Sequence, residues 1–303
     1  MLGGPISASP NFPKIPSDWI ETSLYVPKTE TFVRIFHKKN FGKGRILFAV
    51  HGFGEQSDRY EHFPFYLSEH IDVIACPDLV GHGKSGGKRG YISNFDQYVD
   101  GVESAYLPVT QMVKSKIPQI EVFWHGHSLG GLVSLRMLFR NPNLVIRAAS
   151  VSSPLLRLSM PVPQLKKYFA LLVEPILGQL PLKNDLDPKL VSKDTRVQSH
   201  YLENNLNHGI VTPRWFVKTS KMMAQILKTE GPMHYHLMVM SSLADGIVDY
   251  KSSYEFFSQV KIFDGFRKVI QTFPNVYHEP FNDLEKELAF NCLDQWIAQN
   301  SKI

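Results

Sequence analysis

Short runs of consecutive apolar residues recur along the chain, separated by stretches in which apolar positions return every three or four residues. Arg45-Ile-Leu-Phe-Ala-Val50 is nearly all apolar and ends at His51-Gly52. A run of that length and character is the mark of a strand buried on both faces of a parallel sheet. Ile71–Ala75, Ile120–Trp124, Ala148–Val151, Leu237–Met240 and Val269–Phe273 repeat it. Trp19–Val26 and Thr31–Phe36, separated by Pro27, predict a hairpin. Helical spacing links Phe95, Val99, Val102, Tyr106 and Val109, fills Leu132 to Phe139, and predicts a final helix through Leu284, Leu288, Cys292 and Trp296. Strands alternating with helices predict an α/β fold. Its mostly parallel central sheet carries helices on both faces, joined by right-handed crossovers.

Residues 154–212 break the alternation. They hold helical pieces but no good strand, and predict a mainly helical cap inserted between core segments 1–153 and 213–303. The cap is expected over the C-terminal edge of the sheet, where such folds bind ligands. Within it, Val162, Leu165, Phe169, Leu172 and Ile176 are spaced 3, 4, 3 and 4 apart, forming one helical stripe. That stripe either packs on its own domain or lines an acyl groove, with Leu171 on another face and free to touch lipid. In the second reading Val162, Leu165, Phe169 and Leu172 bind substrate, and the cap makes transient contact with a membrane surface.

Composition narrows the classes. Hydrophobic residues are 43% and charged residues 20%, enough for a sizeable core and against disorder. The net charge is +5 with no long basic run, which gives nucleic-acid binding little support. Cys76 and Cys292 are the only cysteines, too few for a disulfide scaffold or a cysteine zinc site, and both are expected as small core residues. Met1 to Pro10 has neither a basic region nor a long apolar one, so no secretory signal is expected there. No apolar stretch reaches the roughly 18 residues of a membrane span. A cytoplasmic protein, at most peripheral to a membrane, is the expectation.

Gly-x-Ser-x-Gly occurs twice, as Gly83-Lys-Ser85-Gly-Gly87 and Gly126-His-Ser128-Leu-Gly130. The motif carries chemistry only at a sharp turn from strand to helix, which lifts the hydroxyl out and aims a helix N-terminus at a developing oxyanion. Ser128 has a strand before it and an apolar helix after it. Ser85 is followed by Gly86, Gly87, Lys88, Arg89 and Gly90, which cannot start a helix. Nor does Gly83-Lys-Ser85 close a phosphate-binding loop, since Asp78 stands where that motif needs glycine. Ser128 is the expected nucleophile.

The rest of an acyl-transfer site follows in order. His51-Gly-Phe-Gly-Glu55 leaves a buried strand, so the backbone N–H groups of Phe53 and Leu129 are the candidate oxyanion donors. Asp245 leaves the strand at Leu237–Met240 and is the candidate acid. Asp249 is its rival, better placed to cap the following helix. His278 follows the last strand and is the candidate base. Of the 12 histidines, His125 and His127 flank the nucleophile too closely to turn back on it, and His234 and His236 look structural. No histidine pair has catalytic-metal spacing, and neither metal nor cofactor is expected.

These motifs together resemble the monoacylglycerol lipase and lysophospholipase group of the α/β-hydrolases, from about residue 19 onward. The resemblance rests on His51 to Glu55 with Arg59-Tyr60, and on Asp78-Leu-Val-Gly-His-Gly-Lys-Ser85 with Gly87-Lys-Arg-Gly90 and Phe95 to Asp100. It extends to Gly126 to Gly131, Ala244-Asp245-Gly-Ile-Val-Asp249, His278-Glu279, and Asp194 to Trp215 in the cap. It implies a triad of Ser128, Asp245 and His278 that hydrolyses esters of monoacyl lipids through an acyl-enzyme. The chain departs from the group at Ser241, Ser242 and Leu243, where a glycine is usual, and in the cap at Pro161-Val-Pro163 and Pro175. Two other readings stay open. One is an aminopeptidase, which would need Glu174 or Glu203 of the cap to hold an ammonium group. The other is a ligand-binding protein without turnover.

Overall fold

The computed structural model describes residues 13–160, 164–184, 186–229 and 231–302, with backbone alone at 164–167. Its centre is an eight-stranded sheet. The strands are β1 (Trp19–Val26), β2 (Thr31–Lys38), β3 (Arg45–Val50), β4 (Val73–Pro77), β5 (Glu121–His127), β6 (Ala148–Ser152), β7 (His236–Ser242) and β8 (Lys268–Phe273). Their spatial order is β1-β2-β4-β3-β5-β6-β7-β8. β2 runs antiparallel to β1 and β4, and every other neighbouring pair is parallel. The expected hairpin and α/β sheet are therefore both present.

The apolar runs form strands because both faces of the sheet are covered. Along β5, Phe123 joins one core with Leu47, Met240 and Phe290, while Trp124 joins the other with Phe48, Leu135 and Val239. A polar residue at either position would lie buried without water. The helices are α1 (Phe63–Leu67), α2 (Asp96–Ser104), α3 (Tyr106–Lys114), α4 (Leu129–Arg140), α5 (Gln164–Leu177), α6 (Thr195–Glu203), α7 (Pro213–Leu227), α8 (Tyr250–Gln259) and α9 (Lys286–Asn300).

Two helical expectations change. The pattern from Phe95 to Val109 divides into α2 and α3, because Pro108 has no N–H to bond the carbonyl of Ser104. The face assigned to the final helix is also displaced. α9 buries Ala289, Phe290, Leu293, Trp296 and Ile297, whereas Leu284 and Leu288 are exposed. Steps of four residues drift by about 40° each, so a run of them fans across the helix instead of following one face. Cys76 is buried, Cys292 half-buried, and both are free thiols.

Between β6 and β7 the chain forms α5, α6, α7 and a short antiparallel pair, Leu182–Lys183 with Ile210–Val211. Thr212 caps α7 by accepting from the Trp215 N–H at 3.2 Å, and Trp215, Met222 and Ile226 carry α7 into the core. α5 packs on α7, and Glu174 of α5 pairs with Arg214 of α7 at 2.6 Å.

The apolar stripe of α5 is the clearest correction. Phe169, Leu172 and Ile176 are 62%, 77% and 87% exposed, so they face solvent. Val162 lies outside the described residues, as does the side chain of Leu165. The rotation of α5 is set by its inner side, where Ala170, Val173 and Glu174 are half-buried and Gly178 lies against Arg214. The α5 residue that does line a groove is Leu171.

Candidate active site

β3 and β5 lie side by side, with Val50 opposite Gly126, so the loops leaving both strands meet at one edge. At that edge β5 turns into α4 through Ser128, which has φ 52° and ψ −116°. This left-handed backbone is costly for a serine and persists only where the surroundings impose it. Glycine is required two residues either side. A Cβ on Gly126 would lie 2.5 Å from the Gly130 carbonyl oxygen, and one on Gly130 would lie 2.2 Å from that of Val50. The turn therefore draws its shape from close backbone approach.

Ser128 Oγ lies 2.9 Å from His278 Nε2, and His278 Nδ1 lies 2.7 Å from Asp245 Oδ2. All three residues are buried. Asp245 also accepts the N–H groups of Ile247 and Val248 at 2.8 and 2.9 Å, which fixes its carboxylate. Burial works to lower the His278 pKa, but the Asp245 charge and hydrogen bond, with Glu279 behind them, carry it above its usual value. A hydroxyl, an imidazole and a carboxylate in this sequence can activate a nucleophile and return its proton.

The candidate donors belong to the two loops that meet at this edge. The Leu129 N–H is the first of α4, where helix geometry provides no internal partner. Gly52 brings the other loop close, since a Cβ on it would stand 3.2 Å from Ser128 Cβ. Phe53 follows, its ring centroid 4.4 Å from Trp215 and 5.4 Å from His208, so packing holds the loop that carries its N–H.

The rival residues have other duties. Ser85 Oγ donates to the Asp78 carbonyl at 2.7 Å and accepts the Phe32 N–H at 2.9 Å, tying a loop together. Asp249 caps α8 by accepting the Lys251 N–H at 3.0 Å. His125 bonds Ser150, His234 stacks on Phe263, and His236 accepts the Arg267 N–H. His127 bonds Ser152 Oγ through Nδ1 at 3.0 Å, and its ring centroid is 4.8 Å from that of His278. The sequence reading also left Glu55, Arg59 and Glu279 without a role, although all three lie in the motifs.

Among the described residues, Glu55, His127 and Glu279 are a group whose ligand atoms fall within 4.8 Å of one another. Arg59 stands among them and pairs with both carboxyl groups, so a metal ion there would meet a guanidinium charge. A groove of about 810 Å³ runs between α5, α7 and α8, lined by Leu156, Leu158, Leu171, Phe216, Met223 and Leu227 among others. Arg157, Lys221, Lys228 and Glu255 also line it.

Sheet order and elbow together define an α/β-hydrolase with a serine, histidine and aspartate in hydrogen-bonding sequence. The profile of the Hydrolase_4 family, described as serine aminopeptidase, S33, matches residues 43–285, and the chain belongs to that family. Phospholipase YtpA of Bacillus subtilis is 26% identical over 83% of this chain and 96% of its own. An uncharacterized abhydrolase domain-containing protein of Dictyostelium discoideum is 27% identical over 82% of this chain, which spans only 26% of that longer protein. The crystal structure of Paleococcus ferrophilus monoacylglycerol lipase superposes with a TM-score of 0.74 at 27% identity, covering 90% of this chain and all of that one.

Proposed function

We propose that this protein hydrolyses carboxylic esters of monoacyl lipids, monoacylglycerols or lysophospholipids, by acyl transfer through Ser128. The observation that carries the reading is the buried hydrogen-bonded path from Ser128 through His278 to Asp245 at the strand-to-helix turn. His278 takes the hydroxyl proton as Oγ attacks the ester carbonyl. The Phe53 and Leu129 N–H groups hold the oxyanion. Collapse expels the alcohol, protonated by His278, and leaves an acyl-serine. Water, deprotonated by the same imidazole, attacks that ester, and Ser128 leaves with its proton restored. Asp245 orients the imidazole and stabilises its charge throughout. No step calls for a metal or cofactor.

The lipase and phospholipase names of the relatives support a lipid ester, and the leucine, phenylalanine and methionine lining of the groove between α5, α7 and α8 supports an acyl chain. Each buried methylene contributes up to about 0.8 kcal/mol, nearly fourfold in binding. Over a panel of monoacylglycerols, lysophospholipids, nitrophenyl esters and aminoacyl anilides, kcat/KM should rise from short to medium acyl chains and then level off. Leu171→Asp should flatten that rise while sparing a short ester, because Leu171 lines the groove and is itself half exposed. The family's description favours a second reading, aminopeptidase activity. Glu174, one of the two cap glutamates it would need, is engaged by Arg214. Anilides as the best substrates would make that reading the correct one.

The outward face of α5 supports contact with a lipid surface. Tyr168, Phe169, Leu171, Leu172 and Ile176 are all exposed, a larger apolar patch than water-facing helices usually carry. Among the described residues no helix is long and apolar enough to cross a membrane. Leu172→Glu with Ile176→Glu should weaken co-sedimentation with phospholipid vesicles at least tenfold and leave turnover of a soluble short ester unchanged. Equal vesicle binding by that variant would remove α5 from the contact.

A further inference from the structure

Each of the three catalytic segments sends one side chain into a buried cluster that the steps above do not use. Glu55 lies two residues after Phe53, His127 immediately before Ser128, and Glu279 immediately after His278. At their centre is Arg59, with 1% of its side chain exposed. It donates through Nη2 to Glu279 Oε2, and its Nε lies 3.9 Å from Glu55 Oε2. Glu279 also accepts Asn282 Nδ2 at 2.9 Å, and the Glu55 carboxyl takes a backbone hydrogen bond from Gly52.

Two carboxyl groups and one guanidinium share this buried site. Burial first, and then the neighbouring Glu279 charge, hold the Glu55 carboxyl well above the usual carboxylate range.

The sheet connects the parts this cluster touches only through three intervening strands. The candidate oxyanion donor Phe53 follows β3 and the base follows β8, with β5, β6 and β7 between them. Arg59 and Glu279 span that gap across 220 residues of sequence. Resting on the acyl-transfer reading above, the geometry points to Arg59 as a positioning residue: its Nη2 bonds Glu279 while its charge faces Glu55 across 3.9 Å, which ties the oxyanion loop to the base loop. Catalytic groups need placement within roughly 0.5 Å, and a misplacement of about 1 Å costs on the order of 100-fold in rate.

Two variants of the full chain test this on a soluble short ester. Arg59→Lys keeps the buried cation but offers no planar fork. The triple replacement Glu55→Met, Arg59→Leu and Glu279→Met removes every buried charge together, which keeps such sites foldable where a single deletion does not. Both should fold with the wild-type circular dichroism spectrum. Each should lose about 10- to 100-fold in kcat with KM nearly unchanged, because the ester binds outside the cluster. A merely structural role would leave kcat intact in a folded triple variant. Labelling with a fluorophosphonate separates the two layers. Wild-type protein that does not label at Ser128 overturns the acyl-transfer reading and this proposal with it. Wild-type labelling, with either folded variant at wild-type kcat, overturns this proposal alone.

Discussion

Ser128→Ala should lower kcat by about 10⁴-fold or more and abolish fluorophosphonate labelling, with the protein still folded. The size follows from what the hydroxyl does. Without it there is no acyl-enzyme, and His278 and the oxyanion donors can at best assist direct attack by water. KM should change little, because the lost interaction is one made in the transition state. Stability should hold or improve, although the left-handed backbone is no easier for alanine than for serine: the turn is imposed by Gly126, Gly130 and β3, and these remain. Ser85→Ala is the matched control. It removes the loop bonds to Asp78 and Phe32, so it should cost stability and leave labelling at Ser128 intact. Labelling that survives in Ser128→Ala and vanishes in Ser85→Ala would move the nucleophile to the other motif.

The contrast between those two serines shows what a sequence of this kind makes legible. Both share the same five-residue pattern, and only the flanking strand and helix distinguish them. Strands buried on both faces advertise themselves as apolar runs, so β3 to β7 could be read directly, whereas the edge strand β8 is partly exposed and shows only Val269-Ile270 and Phe273; the loops after these strands carry Ser128, Asp245 and His278. The stripe on α5 could not be oriented by the same means. Apolar residues at helical spacing describe a face, not its neighbour, and here an ion pair between Glu174 and Arg214 turns that face outward. The cluster around Arg59 was hidden for another reason. Its members lie inside recognisable motifs, but the contact joining Arg59 to Glu279 crosses 220 residues and depends on the assembled sheet. Periodicity carries no signal for such a pairing.

Asp245→Asn should reduce kcat by up to about 10⁴-fold while leaving the fold intact, and it should also move the pH profile. The base acts as neutral imidazole, so wild-type kcat/KM should rise with pH through the His278 pKa, which lies above the ordinary 6.5. Burial alone would place that value lower; the charge and hydrogen bond of Asp245 are the larger causes that raise it. Asparagine removes both and leaves the burial. The acidic limb of the variant should therefore lie at lower pH than in the wild type, although its plateau is far lower. Asp249→Asn should do neither. Its carboxylate caps α8 and faces Arg157 at 3.4 Å, so its loss should cost about 1 kcal/mol of stability or less and little rate. Rate against pH from 5 to 9 for the three proteins, alongside thermal melts, separates the two aspartates. A larger rate loss in Asp249→Asn would make Asp249 the triad acid, and an Asp245→Asn limb that stays in place would mean that the charge on Asp245 does not reach the base.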